Sequence, residues 1–518
     1  MSSALARIAT LAACLVAETF GSGDAQPAAI VTPTIGGEPW AAADVAIMSG
    51  DLDAELAGAS AIRGAHVGVL VLDTRTGAVL YARNADDEFQ PASTLKLLVG
   101  SVALETLRPT FRFQTELDLT ESERAAGSRP FDAVVLHAGG DPFLNDRDLR
   151  DAAQRVVAQN VPPLRGIFID DSHFETSPYP AGWVWDDFAQ PYAAPISAIA
   201  LEENVVHLTV SPGLAAGSPA RVAANLGASV GAPFEGCVAA LTNVIVVGSH
   251  ALTGARDSES TIDVAVAPGG CLEVIGSIPA GAQAEAVDAA VYDPIVYAQR
   301  ALVDAFRANG IEVQLPSIIG LSSVGMRRTA FEGIAQKTLW THESAPLAVF
   351  LGPRFWIPSD NFVGEMLLRQ VGFAAAGKPG TTDKGLADER SWLRSIGVDP
   401  ATTTLADGSG LSQYDRITPR DLVAILQHDW SGANRGLVLD SLPVGGARGT
   451  IEGIVGTPAA GRVFAKTGSM SHVRGLAGYL ATQRHGAVTF AFNVDDWNGD
   501  YASLAALRAR VLSRIVND

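Results

Sequence analysis

The sequence predicts a multidomain α+β protein, an antiparallel sheet covered by helices and interrupted by a long β-rich insertion. Three observations carry this. The chain has 518 residues, too many for one hydrophobic core, so two to three domains are expected. Apolar runs of strand length at 66–72, 78–82, 475–481 and 487–494 accompany helical periodicity at 41–57 and 501–516. Between these ends, residues 204–290 fall into short runs of Val, Ala, Gly and Thr separated by turn signals, the composition of a small β-rich module.

Taken in order, residues 1–25 read as a secretory signal: Arg7, then the mostly apolar run 8–17, then small residues ending at Ala25. Leu11-Ala12-Ala13-Cys14 also resembles a lipoprotein signal, so a lipid anchor on Cys14 is the alternative. Residues 26–40 read as an unpacked lead-in. A helix over 41–57 and a strand over 66–72 follow; Thr74-Arg75-Thr76-Gly77 turns the chain into a return strand at 78–82. Strands are expected at 111–119, 131–136 and 166–169, and helices at 146–161 and 293–309. The closing helix places Leu504, Leu507, Val511 and Ile515 on one face.

Composition narrows the function. Hydrophobic content of 47% and charged content of 18% belong to an ordinary globular protein. A net charge of −19 argues against nucleic-acid binding, whose footprint is a basic patch. Beyond the signal no stretch is apolar for long enough to span a bilayer. With Cys14 removed, Cys237 and Cys271 remain; they read either as a disulfide of an exported protein or as two buried free thiols. The nine histidines do not fall at metal-ligand spacings, and no metal or other cofactor is expected.

Chemistry concentrates in three places. In Gln90-Pro91-Ala92-Ser93-Thr94-Leu95-Lys96, Ser93 and Lys96 stand three apart at the start of an apolar helix, which puts them on one face. A serine hydroxyl is a weak nucleophile until a base takes its proton. A lysine serves as that base only as the neutral amine, so burial or a nearby cation must lower its pKa. Ser359-Asp360-Asn361 and Lys466-Thr467-Gly468-Ser469 follow downstream, each beside an apolar element. Singly they read as a helix cap and as a turn before a strand; their order is what is unusual.

That order resembles the penicilloyl-serine transferases, the penicillin-binding proteins and serine β-lactamases. The closer resemblance is to the class C low-molecular-mass penicillin-binding proteins, exported D-alanyl-D-alanine carboxypeptidases and endopeptidases. It rests on PASTLK at 91–96, GGDPFL at 139–144, GWVWDD at 182–187, YAAPISAIALEEN at 192–204, SDNFVGEMLLR at 359–369, DGSGLSQYDRITP at 407–419, SLPVGG at 441–446 and AKTGSMSHVRGLAGYL at 465–480.

The resemblance implies a transpeptidase-like α/β sandwich built from 41–110 and 290–518, with inserted domains at 111–289 and a nested module at about 204–285. It implies acyl transfer on peptidoglycan stem peptides, with β-lactam antibiotics as acylating inhibitors. Ser93 would be the nucleophile and Lys96 its base. Ser359 would relay the proton, and Asn361 would hold Lys96 or the substrate amide. Lys466 would pair with the substrate carboxylate and lower the Lys96 pKa by repulsion. Thr467 would add a hydroxyl, Gly468 would let the strand approach the substrate, and the Ser93 and Ser469 N–H groups would form the oxyanion hole. Where the family often has arginine, this chain has Gln413; with Asp141 it would lie near the substrate's penultimate side chain, although Asp141 reads equally as a turn cap before Pro142. Trp183, Trp185, Asp186 and Asp187 read as packing and turn residues. The competing functions are a β-lactamase or Ser–Lys esterase, and a non-catalytic peptidoglycan-binding scaffold.

Overall fold

The computed structural model describes residues 28–121, 132–159, 164, 166–225, 228–230, 245–267, 271–313, 335–451 and 453–518. The signal segment with Cys14, and Cys237, lie outside the described residues, so the Cys237–Cys271 pairing does too. In chain order the elements used below are α1 (Ala42–Ala57), β1 (His66–Asp73), β2 (Val79–Arg83), α2 (Lys96–Thr106), β3 (Gln114–Glu121), β4 (Asp132–Ala138), α3 (Asp146–Ala158), β5 (Gly166–Asp170), α4 (Pro294–Ala308), β6 (Ala335–Glu343), α5 (Asn361–Ala376), α6 (Thr382–Ser395), α7 (Pro419–Ser431), β7 (Val463–Met470), β8 (Val473–Ala481), β9 (Ala487–Asp495) and α8 (Tyr501–Asn517).

The central sheet has five strands in the order β7-β8-β9-β1-β2, all antiparallel. Alternation assigns its faces. Val67, Val69 and Val71 of β1 meet Met48 and Leu52 of α1 and Leu504, Leu507 and Val511 of α8 in one core. Leu70, between them, points to the other face, where Leu97 and Leu98 of α2, Val363 and Leu367 of α5 and Leu422 of α7 gather with Tyr479 of β8. A sheet with both faces covered explains why β8 and all but the last residue of β9 are buried.

Residues 28–38 differ from the expected unpacked lead-in. The Val31 N–H donates to Gly461 O at 2.9 Å, the Glu38 N–H to Arg484 O at 2.8 Å, and Thr34 O accepts from the Ala487 N–H at 2.9 Å. Scattered Pro and Gly hide such a segment, because it carries backbone pairing without strand periodicity.

A second sheet has the order β6-β3-β4-β5. Its β4–β5 pair is parallel, bridged by α3, whose Asn145 and Asp148 form a capping box. β6 pairs with β3 over Ala335–Glu343, and Tyr297, Leu302 and Phe306 of α4 join the core beneath this sheet. The second layer therefore draws on chain from both sides of residue 290. Between β5 and α4, short strands build the β-rich module: Val205–Ser211 lies between Arg221–Ala224 and Glu285–Ala290, and four further strands form a second small sheet.

Candidate active site

The Ser93 turn is held in an unusual backbone. Ala92 has φ of 45°, residues Ala92–Leu95 form a 3-10 turn, and α2 begins at Lys96. Strain of this kind persists where the surroundings fix it, and here they do. Trp356, fully buried, donates its indole N–H to Lys96 O at 2.8 Å. Its ring lies where a Cβ on Gly100 would sit, 2.3 Å away, so α2 accepts it only because residue 100 is glycine. Trp356 ends a π-helical segment, Leu351–Trp356, that leads into Ser359.

Lys96 is fully buried. Its Nζ donates to Ser93 Oγ, to Asn361 Oδ1 and to Ser409 O, each at 2.7 Å. Three acceptors match the three donors of an ammonium. Burial pushes the amine down to about 8, against the opposing pull of Asp407, Asp360 and Glu365. The desolvation of an enclosed charge is the first cause of this fall, and the like-charge repulsion that the sequence reading invokes acts between the same two amines.

Asn361 is the first residue of α5, after Asp360 caps the helix by accepting from the Val363 N–H at 2.9 Å. The amide of Asn361 thus takes a fixed direction: Oδ1 toward Lys96, and Nδ2 donating to Tyr192 O at 2.9 Å. Ser359 sits two residues earlier with φ of 65°, and its Oγ accepts from Lys466 Nζ at 2.7 Å.

Lys466 was read as part of a turn ahead of a strand. It lies inside β7 instead, paired with Ala477 of β8. It is fully buried and also donates to Thr467 O at 2.9 Å. Burial first, then repulsion from Lys96, holds its amine well below the ordinary lysine value. Thr467 Oγ1 meets Thr450 Oγ1 at 2.5 Å, while Ser469 is exposed on the same strand. Gly468 has a steric reason that the sequence reading missed: a Cβ there would lie 2.6 Å from Pro91 O and 3.1 Å from Thr94 N. The glycine lets β7 run against the Ser93 turn.

The structure gathers Ser93, Lys96, Ser359, Asn361 and Lys466 through these contacts, with Thr467, Gly468 and Ser469 on the neighbouring strand. Gln413 faces Gln90, whose Nε2 donates to Gln413 O at 3.0 Å. Asp141 is not part of the group. It is 1% exposed, accepts from the Phe143 N–H at 2.9 Å and pairs with His342 at 3.2 Å, so its carboxylate is committed to the turn. The packing expectation holds for Trp183, which is buried and donates to Asp407 Oδ2 at 2.8 Å; Trp185 differs, being 74% exposed. Sequence reasoning assigned no role to Ser409, Trp356 or Thr450. Ser409 acts through a backbone carbonyl, which no side chain advertises. Among the described residues, no group of three His, Cys, Asp or Glu stands where it could hold a metal ion, and no helix is long and apolar enough to cross a membrane.

A hydroxyl bonded to an enclosed amine can attack a carbonyl and lose its proton without a histidine. A second amine on an edge strand can meet an anionic end of the same substrate. Sheet, turn and amine pair together define a serine acyl-transfer enzyme of the Ser–Lys type. The chain belongs to the D-Ala-D-Ala carboxypeptidase 3 (S13) family, whose model matches residues 48–512, and it is a serine-type D-Ala-D-Ala carboxypeptidase by class.

Its relatives agree. The chain is 34% identical to a D-alanyl-D-alanine carboxypeptidase of Actinomadura sp. over 83% of its own length and 78% of the relative's. It is 24% identical to the D-alanyl-D-alanine carboxypeptidase DacB of Haemophilus influenzae, over 85% of this chain and 88% of that one. In structure it resembles penicillin binding protein 4 (dacB) from Haemophilus influenzae, with a TM-score of 0.74 and 22% identity over 91% of this chain and 99% of that one. The expected multidomain fold with a transpeptidase-like antiparallel sheet is therefore the fold observed.

Proposed function

We propose that the chain removes the terminal D-alanine from peptidoglycan stem peptides through an acyl-enzyme on Ser93. The observation that carries the reading is the 2.7 Å contact of the buried Lys96 amine with Ser93 Oγ. Neutral Lys96 takes the hydroxyl proton as Oγ bonds to the carbonyl carbon of the penultimate D-alanine. The Ser93 and Ser469 N–H groups hold the resulting oxyanion. As the C–N bond breaks, the proton passes through Ser359 Oγ to the departing amine. Water then attacks the ester as Lys96 takes its proton, and Lys96 passes that proton to Ser93 Oγ as the ester C–O bond breaks, restoring the hydroxyl and the neutral amine. Lys466 and Thr467 take the C-terminal carboxylate, and Asn361 holds the Lys96 amine in line. The same acyl-enzyme serves an endopeptidase reaction when the leaving amine belongs to a cross-linked stem.

Such a substrate places the enzyme outside the cytoplasm, in the periplasm or cell envelope. Penicillin, with a carboxylate beside a strained amide, acylates Ser93 by the same route. The test is digestion of purified peptidoglycan by the wild type and by Ser93→Ala, with products identified by mass. The wild type releases D-alanine and the variant releases none. Fluorescent penicillin labels only the wild type, and the label persists for hours; loss within a second would indicate a β-lactamase. An intact wild-type chain that never labels would indicate a scaffold.

A further inference from the structure

The loop after α6 carries a residue that touches neither nucleophile nor base, yet shapes the contact between them. Asp407 is fully buried. Its Oδ1 accepts from the Ser409 N–H at 3.1 Å and the Gly410 N–H at 2.7 Å. Its Oδ2 accepts from the Ser412 N–H at 2.8 Å, from Ser409 Oγ at 3.1 Å and from Trp183 Nε1 at 2.8 Å. Five donors converge on one carboxyl group, an arrangement suited to a carboxylate, which accepts only. The loop they fold has two fixed ends. At one, Ser409 O accepts from Lys96 Nζ at 2.7 Å. At the other, Gly410, with φ of 79°, packs so tightly on the Ser93 turn that a Cβ would lie 1.9 Å from Ala92 O.

We propose that Asp407 is the positioning residue of the acyl-transfer site: its carboxylate curls residues 407–412 so that the Ser409 carbonyl presses the Lys96 amine against Ser93. The inference rests on Lys96 acting as the base.

A second consequence follows from its charge. The groups facing this corner are Asp415 on the same loop, Asp360, Glu365 and Arg369 from α5, Glu389 from α6, and Lys466 from β7. Burial pushes the Glu365 carboxyl up to about 8 and those of Asp415 and Glu389 well above the usual range. Asp407, gripped by five donors, is the first of the carboxyl groups that oppose the loss of the Lys96 proton.

The test is the rate of Ser93 acylation by fluorescent penicillin in the full chain, from pH 5 to pH 10. In Asp407→Asn the rate falls about 10–100-fold because the loop loses its fold. The acidic limb of the profile, where Lys96 gives up its proton, moves to lower pH by about one unit because the opposing anion is gone. A limb that stays in place overturns the proposal, whatever the rate does. If Asp407→Asn does not fold, Trp183→Phe decides: it deletes one donor, keeps the charge, and slows acylation about 3–10-fold at every pH. A folded Trp183→Phe with the wild-type rate overturns the proposal. Full acylation by Lys96→Met would instead remove the reading on which the proposal rests, so the two failures are distinguishable.

Discussion

Lys96 and Lys466 are both fully buried, yet their surroundings differ in kind. Lys96 has three oxygen acceptors at 2.7 Å and carboxyl groups nearby, Asp407 first among them, that favour its charge. Lys466 has two acceptors, Ser359 Oγ and Thr467 O. Among the described residues no carboxylate forms an ion pair with it, and the charge that acts on it is the like charge of Lys96. The difference separates two jobs. An amine brought down to about 8 by burial but braced by acceptors can take and return a proton near neutral pH. An amine left without an anion favours any ligand that brings one. The sequence reading gives Lys466 two tasks, pairing with the substrate carboxylate and repelling the charge of Lys96; the absence of a carboxylate ion pair at Lys466 among the described residues fits the first, which stays a proposal.

Substituting each lysine tests this division. Lys96→Met removes the base and slows acylation about 10³–10⁴-fold for every acyl donor, read by stopped-flow with fluorescent penicillin. Lys466→Met lowers kcat/KM about 10²–10³-fold for donors ending in a free carboxylate. Donors with an amidated C-terminus lose far less, because they never supplied the anion. Equal losses for both kinds of donor in Lys466→Met would erase the distinction.

The same comparison makes a stability prediction. Lys96 titrates near 8 when folded and near 10.5 when free. Between those values the unfolded chain binds more protons than the folded one, so stability rises with pH across that window. Below pH 8 the full cost of burying the charge is present. Lys96→Met removes that cost and also three hydrogen bonds, and the net gain at pH 7 is at most about 2 kcal/mol. The gain shrinks as pH approaches 10.5. Urea melts at pH 7 and pH 10 measure both. A variant no more stable than the wild type at pH 7 would mean that the three acceptors offset the burial completely.

The central sheet was legible because its strands alternate or run apolar and its two flanking helices carry clean periodicity. Ser93, Lys96, Ser359, Asn361 and Lys466 were legible because each belongs to a short run with its own chemistry. Geometry that depends on backbone atoms was not. Ser409 contributes a carbonyl, and Gly468 and Gly100 contribute only the absence of a Cβ against Pro91 O and the Trp356 ring. The pairing of residues 28–38 is likewise mostly main chain, with a side-chain contact from Arg484 to Glu38. Asp141 shows the converse. A motif-bearing carboxylate attracts a functional reading, while its actual partners, the Phe143 N–H and His342, are invisible until the fold places His342 beside it.

The smallest expected effect concerns the hydroxyl beside Lys466. Thr467 Oγ1 and Thr450 Oγ1 are 2.5 Å apart, so one donates to the other. If Thr450 accepts, the Thr467 proton is turned away from the substrate; if Thr450 donates, the Thr467 proton is free to point at a carboxylate. Thr450→Val keeps the shape and removes this partner. With Thr450 as donor, the Thr467 hydroxyl loses its orientation and KM for a carboxylate-ended peptide rises about 3–5-fold with kcat little changed, the worth of one neutral hydrogen bond. With Thr450 as acceptor, the freed proton turns to the substrate and KM falls. The carboxylate role proposed for Thr467 requires one of these two shifts, and a KM that does not move would leave Lys466 to hold the carboxylate without it.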